Sequence, residues 1–104
     1  MRRAARIDDN QHEIVDALRA AGASVQSLAS MGRGVPDLLV GRHGVNYLME
    51  VKDGSKPPSR RALTLDEANW HLAWNGQVCI VQSVDDALAA VGAEQRGGTH
   101  HACG

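Results

Sequence analysis

What the chain lacks narrows it first. Its 104 residues carry 11 Lys and Arg against 12 Asp and Glu, a net charge of -1, so no overall basic excess points to a polyanionic partner and any such signal must be local. Two cysteines, Cys79 and Cys103, are too few for a disulfide framework and fit a reducing, cytoplasmic setting. No apolar run approaches a membrane span, and the opening "MRRAARIDDNQ" turns acidic and polar where a signal peptide would turn apolar. The expectation is an intracellular domain without a membrane segment. No internal repeat is visible, and the length suits one hydrophobic core rather than two.

What is present reads as alternating helices and strands. After a basic arm over residues 1–7, with Arg2, Arg3 and Arg6, the stretch "DDNQHEIVDALRAAG" has acids and Asn at its start and Gly22 past its end, the pattern of a capped helix. Ile14, Val15 and Leu18 form its apolar stripe, and Asn10, Glu13 and Ala17 run along the flank of that stripe. "ASVQSLAS" reads as a strand and "MGRGVP" as a turn. "PDLLVGR" and "NYLMEVK" read as two strands joined by the short glycine loop "HGV". "DGSKPPSRRA" is loop by composition. "LTLDEANWHLAW" opens on Thr64 with Glu67 three residues later, a capping box that starts a second helix. "QVCIVQ" is a strand, and "SVDDALAAVGA" has Ser83 as N-cap before Val84, Ala87, Leu88 and Val91 at helical spacing. The tail over residues 92–104 has little to pack and is predicted to be disordered. The predicted order is αβββαβα, an α/β fold with a central mixed sheet flanked by helices over residues 8–91.

Three charged residues sit inside the predicted strands. If the hairpin turns near residues 43–45, the chain doubles back and brings Asp37 close to the Glu50–Lys52 end of the neighbouring strand. Glu50 and Lys52, two apart, leave by one face, and Val51 points the other way. Two ionised carboxylates held close repel one another unless a cation sits between them or one takes up a proton. Oxygen ligands without a Cys/His cluster favour Mg²⁺ or Mn²⁺ over zinc. A metal so held polarises a phosphoryl oxygen and lowers the pKa of bound water, and a fixed lysine charge offsets negative charge growing in the transition state. The set suits phosphodiester hydrolysis. The same residues on a wet strand face also read as a plain ion pair that keeps the surface soluble. Lys56, Arg60 and Arg61 follow directly in a Pro/Ser-rich loop and can grip phosphates, as can Arg33 between Gly32 and Gly34; alone, they read equally as a solvated basic turn.

"GVPDLLV" followed by "YLMEVKDG" resembles the PD-(D/E)XK nuclease signature, with Pro36-Asp37 as its first element and Glu50-Val51-Lys52 as the E-x-K. The flanking "NQHEIVDALRAAGASV", "LTLDEANWHLAW" and "QVCIVQSVDDALAAV" are similar to the virus-type replication-repair nuclease (VRR-NUC) branch, over about residues 8 to 91. The resemblance implies a restriction-endonuclease-like core and divalent-metal-dependent cleavage of DNA. It implies Asp37 and Glu50 as metal ligands, the Val51 carbonyl as a further ligand, Lys52 as the catalytic amine, and the leading helix's acid at Glu13, with Asp8, Asp9 and Asn10 close by. A DNA nuclease of phage-type replication or repair is the reading implied, with branched or flap DNA one candidate substrate. The competing class is a non-catalytic nucleic-acid-binding or interaction module that keeps the nuclease fold. No base-reading helix is evident.

Trp70 and Trp74 lie four apart on the second predicted helix, with Leu65, Ala68 and Leu72 on its opposite side. A helix apolar on both faces is either sandwiched in the core or covered by a partner, and a homodimer through this helix is the expected partner. His71 beside the tryptophans reads as a surface or interface histidine, and His43 falls in the hairpin loop.

Overall fold

The turn at His43–Gly44 sets the register of the sheet. In the computed structural model, which describes residues 7–93, strand β2 (Leu38–Arg42) pairs antiparallel with β3 (Val45–Val51), and Arg42 faces Val45 across the turn. His43 and Gly44 both have positive φ, 52° and 79°. That pair of conformations belongs to the two-residue hairpin turn whose twist matches the flanking strands. Val45, read from sequence as loop, is therefore the first residue of β3. Arg2, Arg3 and Arg6 of the basic arm and residues 94–104 of the tail, with Cys103, lie outside the described residues.

From that turn the pairing runs without a bulge to Leu38 against Met49. Strand β1 (Ser24–Ser27) adds antiparallel to β2, and β4 (Cys79–Val81) adds parallel to β3, giving the mixed order β1-β2-β3-β4. Four helices accompany the strands among the described residues: α1 (Gln11–Ala20), α2 (Pro58–Arg61), α3 (Leu65–Ala73) and α4 (Val84–Ala90). The order is αβββααβα, so the predicted order gains one short helix. Pro58 starts it, because proline's fixed φ and missing N–H cost nothing in a first turn. Strand β1 is half its predicted length, since Ala29–Met31 curl into a 3-10 turn.

One face of the sheet carries the core. Leu38, Val40, Met49, Val51 and Val81 point to it and pack with Ile14 and Leu18 of α1 and Ala87, Leu88 and Ala90 of α4. Burying each large aliphatic side chain contributes roughly 1.5–3 kcal/mol. Strand alternation then sends Asp37, Leu39, Leu48, Glu50 and Lys52 to the opposite face. Helix α3 lies over that second face: Trp74 shares an apolar depression of about 260 Å³ with Leu39 and Leu48, and Glu67 reaches Lys52. The capping box of α3 is formed in both directions, and Ser83 caps α4 by accepting from the Asp86 N–H.

Asn10 stands at the N-cap of α1, yet its side chain makes no capping bond. Its Nδ2 donates instead to the Lys52 and Gln82 carbonyls, 3.1 Å each, and so ties the start of α1 to the ends of β3 and β4. The side chain of Gln77 acts in a similar way at the other end of the ladder. Its Oε1 accepts from Leu48 N at 2.6 Å and its Nε2 donates to Leu48 O at 3.2 Å, satisfying β3 where β4 has not yet begun. No helix among the described residues is long and apolar enough to cross a membrane.

A Cβ at Gly44 would meet nothing within 4 Å, so a substitution there tests the turn's backbone alone. Gly44→Ala is expected to destabilise the protein by about 1 kcal/mol through its positive φ, read as a lower denaturation midpoint in urea at unchanged slope.

Candidate active site

The β2–β3 register, continued one step past Leu38 against Met49, sets Asp37 opposite Glu50 and, at the next step, Pro36 opposite Val51. Pro36 has no N–H, so the ladder stops there, and the Val51 N–H donates to the Asp37 Oδ2 at 2.8 Å instead. On its other side the Asp37 carbonyl accepts from Leu28 N at 2.8 Å, extending the β1–β2 pairing. The aspartate is thus fixed by backbone on both flanks. In a strand both main-chain groups of a residue face the same neighbour, so the Val51 carbonyl leaves on the side where Asp37 stands.

Glu50 is 2% exposed, and its carboxyl lies within hydrogen-bonding reach of both Asp37 and Glu67. No donor is directed at its enclosed Oε1. The Lys52 ammonium sits 3.7 Å from Glu50 Oε2 and 2.7 Å from Glu67 Oε1. These groups line a cleft of about 250 Å³ together with Asp8, Ser59, Arg60 and Thr64. From its spacing to Thr64, Glu67 reads only as a capping residue, and nothing in its spacing from Lys52 signals the contact. Asp8 on the cleft was one of several acids at the start of the first helix, indistinguishable by pattern.

Of the residues expected at the site, Asp37, Glu50, Val51 and Lys52 come together. Glu13 does not. It is exposed on α1 and lines a separate depression with Asp9, Asp53 and Asp86, because the first turn of α1 is held against the ends of β3 and β4 by Asn10, which turns Glu13 away from the Asp37 edge. Among the basic residues, Arg60 lines the cleft. Lys56 pairs with Asp9 at 3.0 Å on an exposed surface, and Arg61 Nε donates to the Lys56 carbonyl at 2.8 Å. Such a surface pair is worth under about 1 kcal/mol and yields readily to a competing anion. Arg33 is exposed in the turn before Pro36, at φ 58°. His71 packs edge-on against Trp70, 6.1 Å between rings, and burial lowers its pKa.

Burial, followed by the Asp37 and Glu67 charges, pushes the Glu50 carboxyl up to about 10. Asp37 is also raised, by burial against the opposing help of the Val51 N–H. Burial alone would depress Lys52, but the Glu67 hydrogen bond and charge outweigh it and hold the ammonium above the usual lysine range. Burial likewise works to raise Glu67, and its bonds from Lys52 and Thr64 overcome that and leave it below the usual carboxylate range. Without a bound cation, then, the raised pKa values of Asp37 and Glu50 favour one proton shared between the two carboxyls.

The donor chemistry fits a hard divalent cation. Asp37, Glu50 and Glu67 line the cleft with Lys52 and Arg60, so the donors facing it are carboxylate oxygens rather than sulfur or imidazole. The orphaned Glu50 Oε1 supplies a lone pair with no other partner. Among the described residues no three His, Cys, Asp or Glu side chains converge as a ready-made cage. Mg²⁺ binds through one or two carboxylates and keeps its remaining positions for water and phosphate oxygens.

A proton that must leave for the metal to bind makes metal affinity pH-dependent. Glu50 holds its proton more tightly folded than unfolded, so the stability that its neutral form contributes is full below pH 4.5 and is lost as pH rises towards about 10. The melting temperature of the metal-free protein is expected to fall between pH 5.5 and 8.5, and saturating Mn²⁺ to raise it more at pH 8.5 than at 5.5. Glu50→Gln is expected to flatten both trends in a fluorimetric thermal scan; equal Mn²⁺ shifts at the two pH values would contradict the shared proton.

No family model and no curated protein matches the sequence. Among solved structures, one described as a VRR_NUC domain is similar to this chain, with a TM-score of 0.55 and 29% sequence identity over 74% of this chain and 84% of that one. With a mixed four-stranded sheet, flanking helices and the Asp37 and Glu50–Lys52 elements meeting at one sheet edge, the chain has a VRR-NUC-like fold of the restriction-endonuclease-like class.

Proposed function

We propose that the chain is a Mg²⁺- or Mn²⁺-dependent nuclease that hydrolyses phosphodiester bonds in DNA, with branched or flap DNA of phage-type replication and repair as its substrate. The observation that carries this reading is the meeting of Asp37 and Glu50 across the end of a ladder, with the Lys52 ammonium 3.7 Å from the Glu50 carboxylate in a cleft shared with Arg60. A nuclease-type fold supports it.

Asp37 and Glu50, with the Val51 carbonyl, would hold the ion. When bound, such an ion supplies Lewis acidity at a phosphoryl oxygen and lowers the pKa of the water it carries. The protein's own groups do the rest. Asp37 is locked by the Val51 N–H, so its free oxygen keeps one direction. Lys52 stays charged, bonded to Glu67, and offsets negative charge that builds on the phosphate in the transition state. Arg60 on the cleft wall grips a neighbouring phosphate, and Lys56 exchanges Asp9 for phosphate where the strand passes.

A second copy of the chain belongs to the same reading. Leu65 and Leu72 of α3 are 75% and 86% exposed, and the Trp70–Trp74 pair stacks at 4.6 Å with Trp74 still 45% exposed. A homodimer through this helix would cover those side chains. Light scattering at micromolar concentration should give twice the chain mass, and Leu72→Glu half of that; a monomeric wild type contradicts the dimer.

Plasmid, flap and four-way-junction DNA incubated with the protein in Mn²⁺ should be cut, and EDTA should stop the cutting. Asp37→Asn and Lys52→Ala should each lower cleavage at least about a hundredfold while sparing DNA binding. Arg60→Ala should weaken binding and reduce its salt slope by about 1, with smaller effects at Lys56 and Arg61. Cleavage that persists in Asp37→Asn would refute the assignment, and DNA binding without any metal-dependent cutting would favour the non-catalytic module.

A further inference from the structure

We infer that Glu67 is a positioning residue for Lys52: one carboxylate oxygen both starts helix α3 and aims the amine of the site. The inference rests on the nuclease reading for its consequence in catalysis, but its geometry stands on this chain alone. Glu67 Oε1 accepts from Lys52 Nζ at 2.7 Å and from Thr64 N at 2.9 Å. The Glu50 contact to the same ammonium is a full 1.0 Å longer, at 3.7 Å against 2.7 Å. The direction of the lysine is therefore set from α3 and not from its neighbour on β3.

Helix α3 is an unusual place from which to set it, since none of its residues is buried. Core burial does not hold this helix in place. What docks its first turn is the lysine bond and a close backbone approach by the loop that leads into Pro36-Asp37. A Cβ at Gly34 would collide with the Asp66 carbonyl and crowd Glu67 N, and Gly34 has a φ of 82° that other residues rarely adopt. The loop carrying Asp37 and the helix carrying Glu67 are thus fitted to one another, and Lys52 is 8% exposed between them. An unheld lysine side chain on a strand end would sample many rotamers. A buried cation with two acceptors in fixed positions samples few.

Lysine ammonium protons appear in a proton–nitrogen correlation spectrum only when hydrogen bonding and burial slow their exchange with water, so Lys52 can be followed in the metal-free protein without any assay of cleavage. The wild type should show the Lys52 Nζ signal. Glu67→Ala should lose it, and Glu67→Gln, which keeps an acceptor and a good N3 residue for the capping box, should keep it. Where DNA is cut, Glu67→Ala should lower kcat by about a hundredfold with KM unchanged, the signature of a misplaced group, and Glu67→Gln should recover most of it. Backbone amide shifts of residues 65–73 report whether α3 survives in each variant. If α3 melts in Glu67→Ala, the Gln variant decides. A Lys52 signal unchanged in Glu67→Ala with α3 intact would overturn the inference, as would Glu67→Gln behaving like Glu67→Ala. So would loss of the Mn²⁺-induced thermal shift in Glu67→Gln, which would make Glu67 a metal ligand instead. The spectrum of the metal-free protein remains decisive even if no form of the protein cuts DNA, so failure of this inference and failure of the nuclease reading are told apart.

Discussion

Two carboxylates facing each other just past the last rung of an antiparallel ladder are the constraint on which the site depends. A two-residue turn fixes the register, and that register brings the Asp37 carboxylate, already bonded to the Val51 N–H, up against Glu50. Repulsion between like charges in a buried setting costs several kcal/mol unless it is neutralised. The chain does not relieve it by moving apart, because Val51 N, Leu28 N and the proline at position 36 hold Asp37 where it is. The relief has to come from a proton or a cation, and which of the two is present is the chemical state of the site.

The lysine adds a second level. Buried ion pairs contribute little net stability, since desolvation consumes most of the attraction. The Glu50–Lys52–Glu67 set is therefore better explained by the geometry it maintains than by the energy it supplies. It links β3, α3 and, through Gly34, the loop before β2 into one local arrangement. The core on the far face of the sheet, built from aliphatic side chains of α1, α4 and three strands, supplies the stability that lets this face carry charge.

Much of this was legible in the sequence because it is local. The period-2 pattern placed Glu50 and Lys52 on one face and Val51 on the other, the Thr64–Glu67 spacing announced a capping box, and Ser83 announced a helix start. The VRR-NUC resemblance drew on the same short elements and their order. What escaped was set by packing between segments far apart in sequence. Glu67 reads as a cap from its spacing to Thr64, and no periodicity links it to Lys52, 15 positions earlier. Glu13 and Asp8 are equivalent as acids near a helix start; only the docking of α1 through Asn10 separates them. A Pro-Pro-Ser run signals loop by composition, yet the same proline is a favoured first residue of a helix, and α2 follows from that second property.

The most direct test is a crystal grown with Mn²⁺ and measured at the manganese absorption edge. The account predicts one anomalous peak about 2.1 Å from a carboxylate oxygen of each of Asp37 and Glu50, with Lys52 Nζ still on Glu67. A map with no peak there, and the two carboxyl groups turned away from each other, would contradict it.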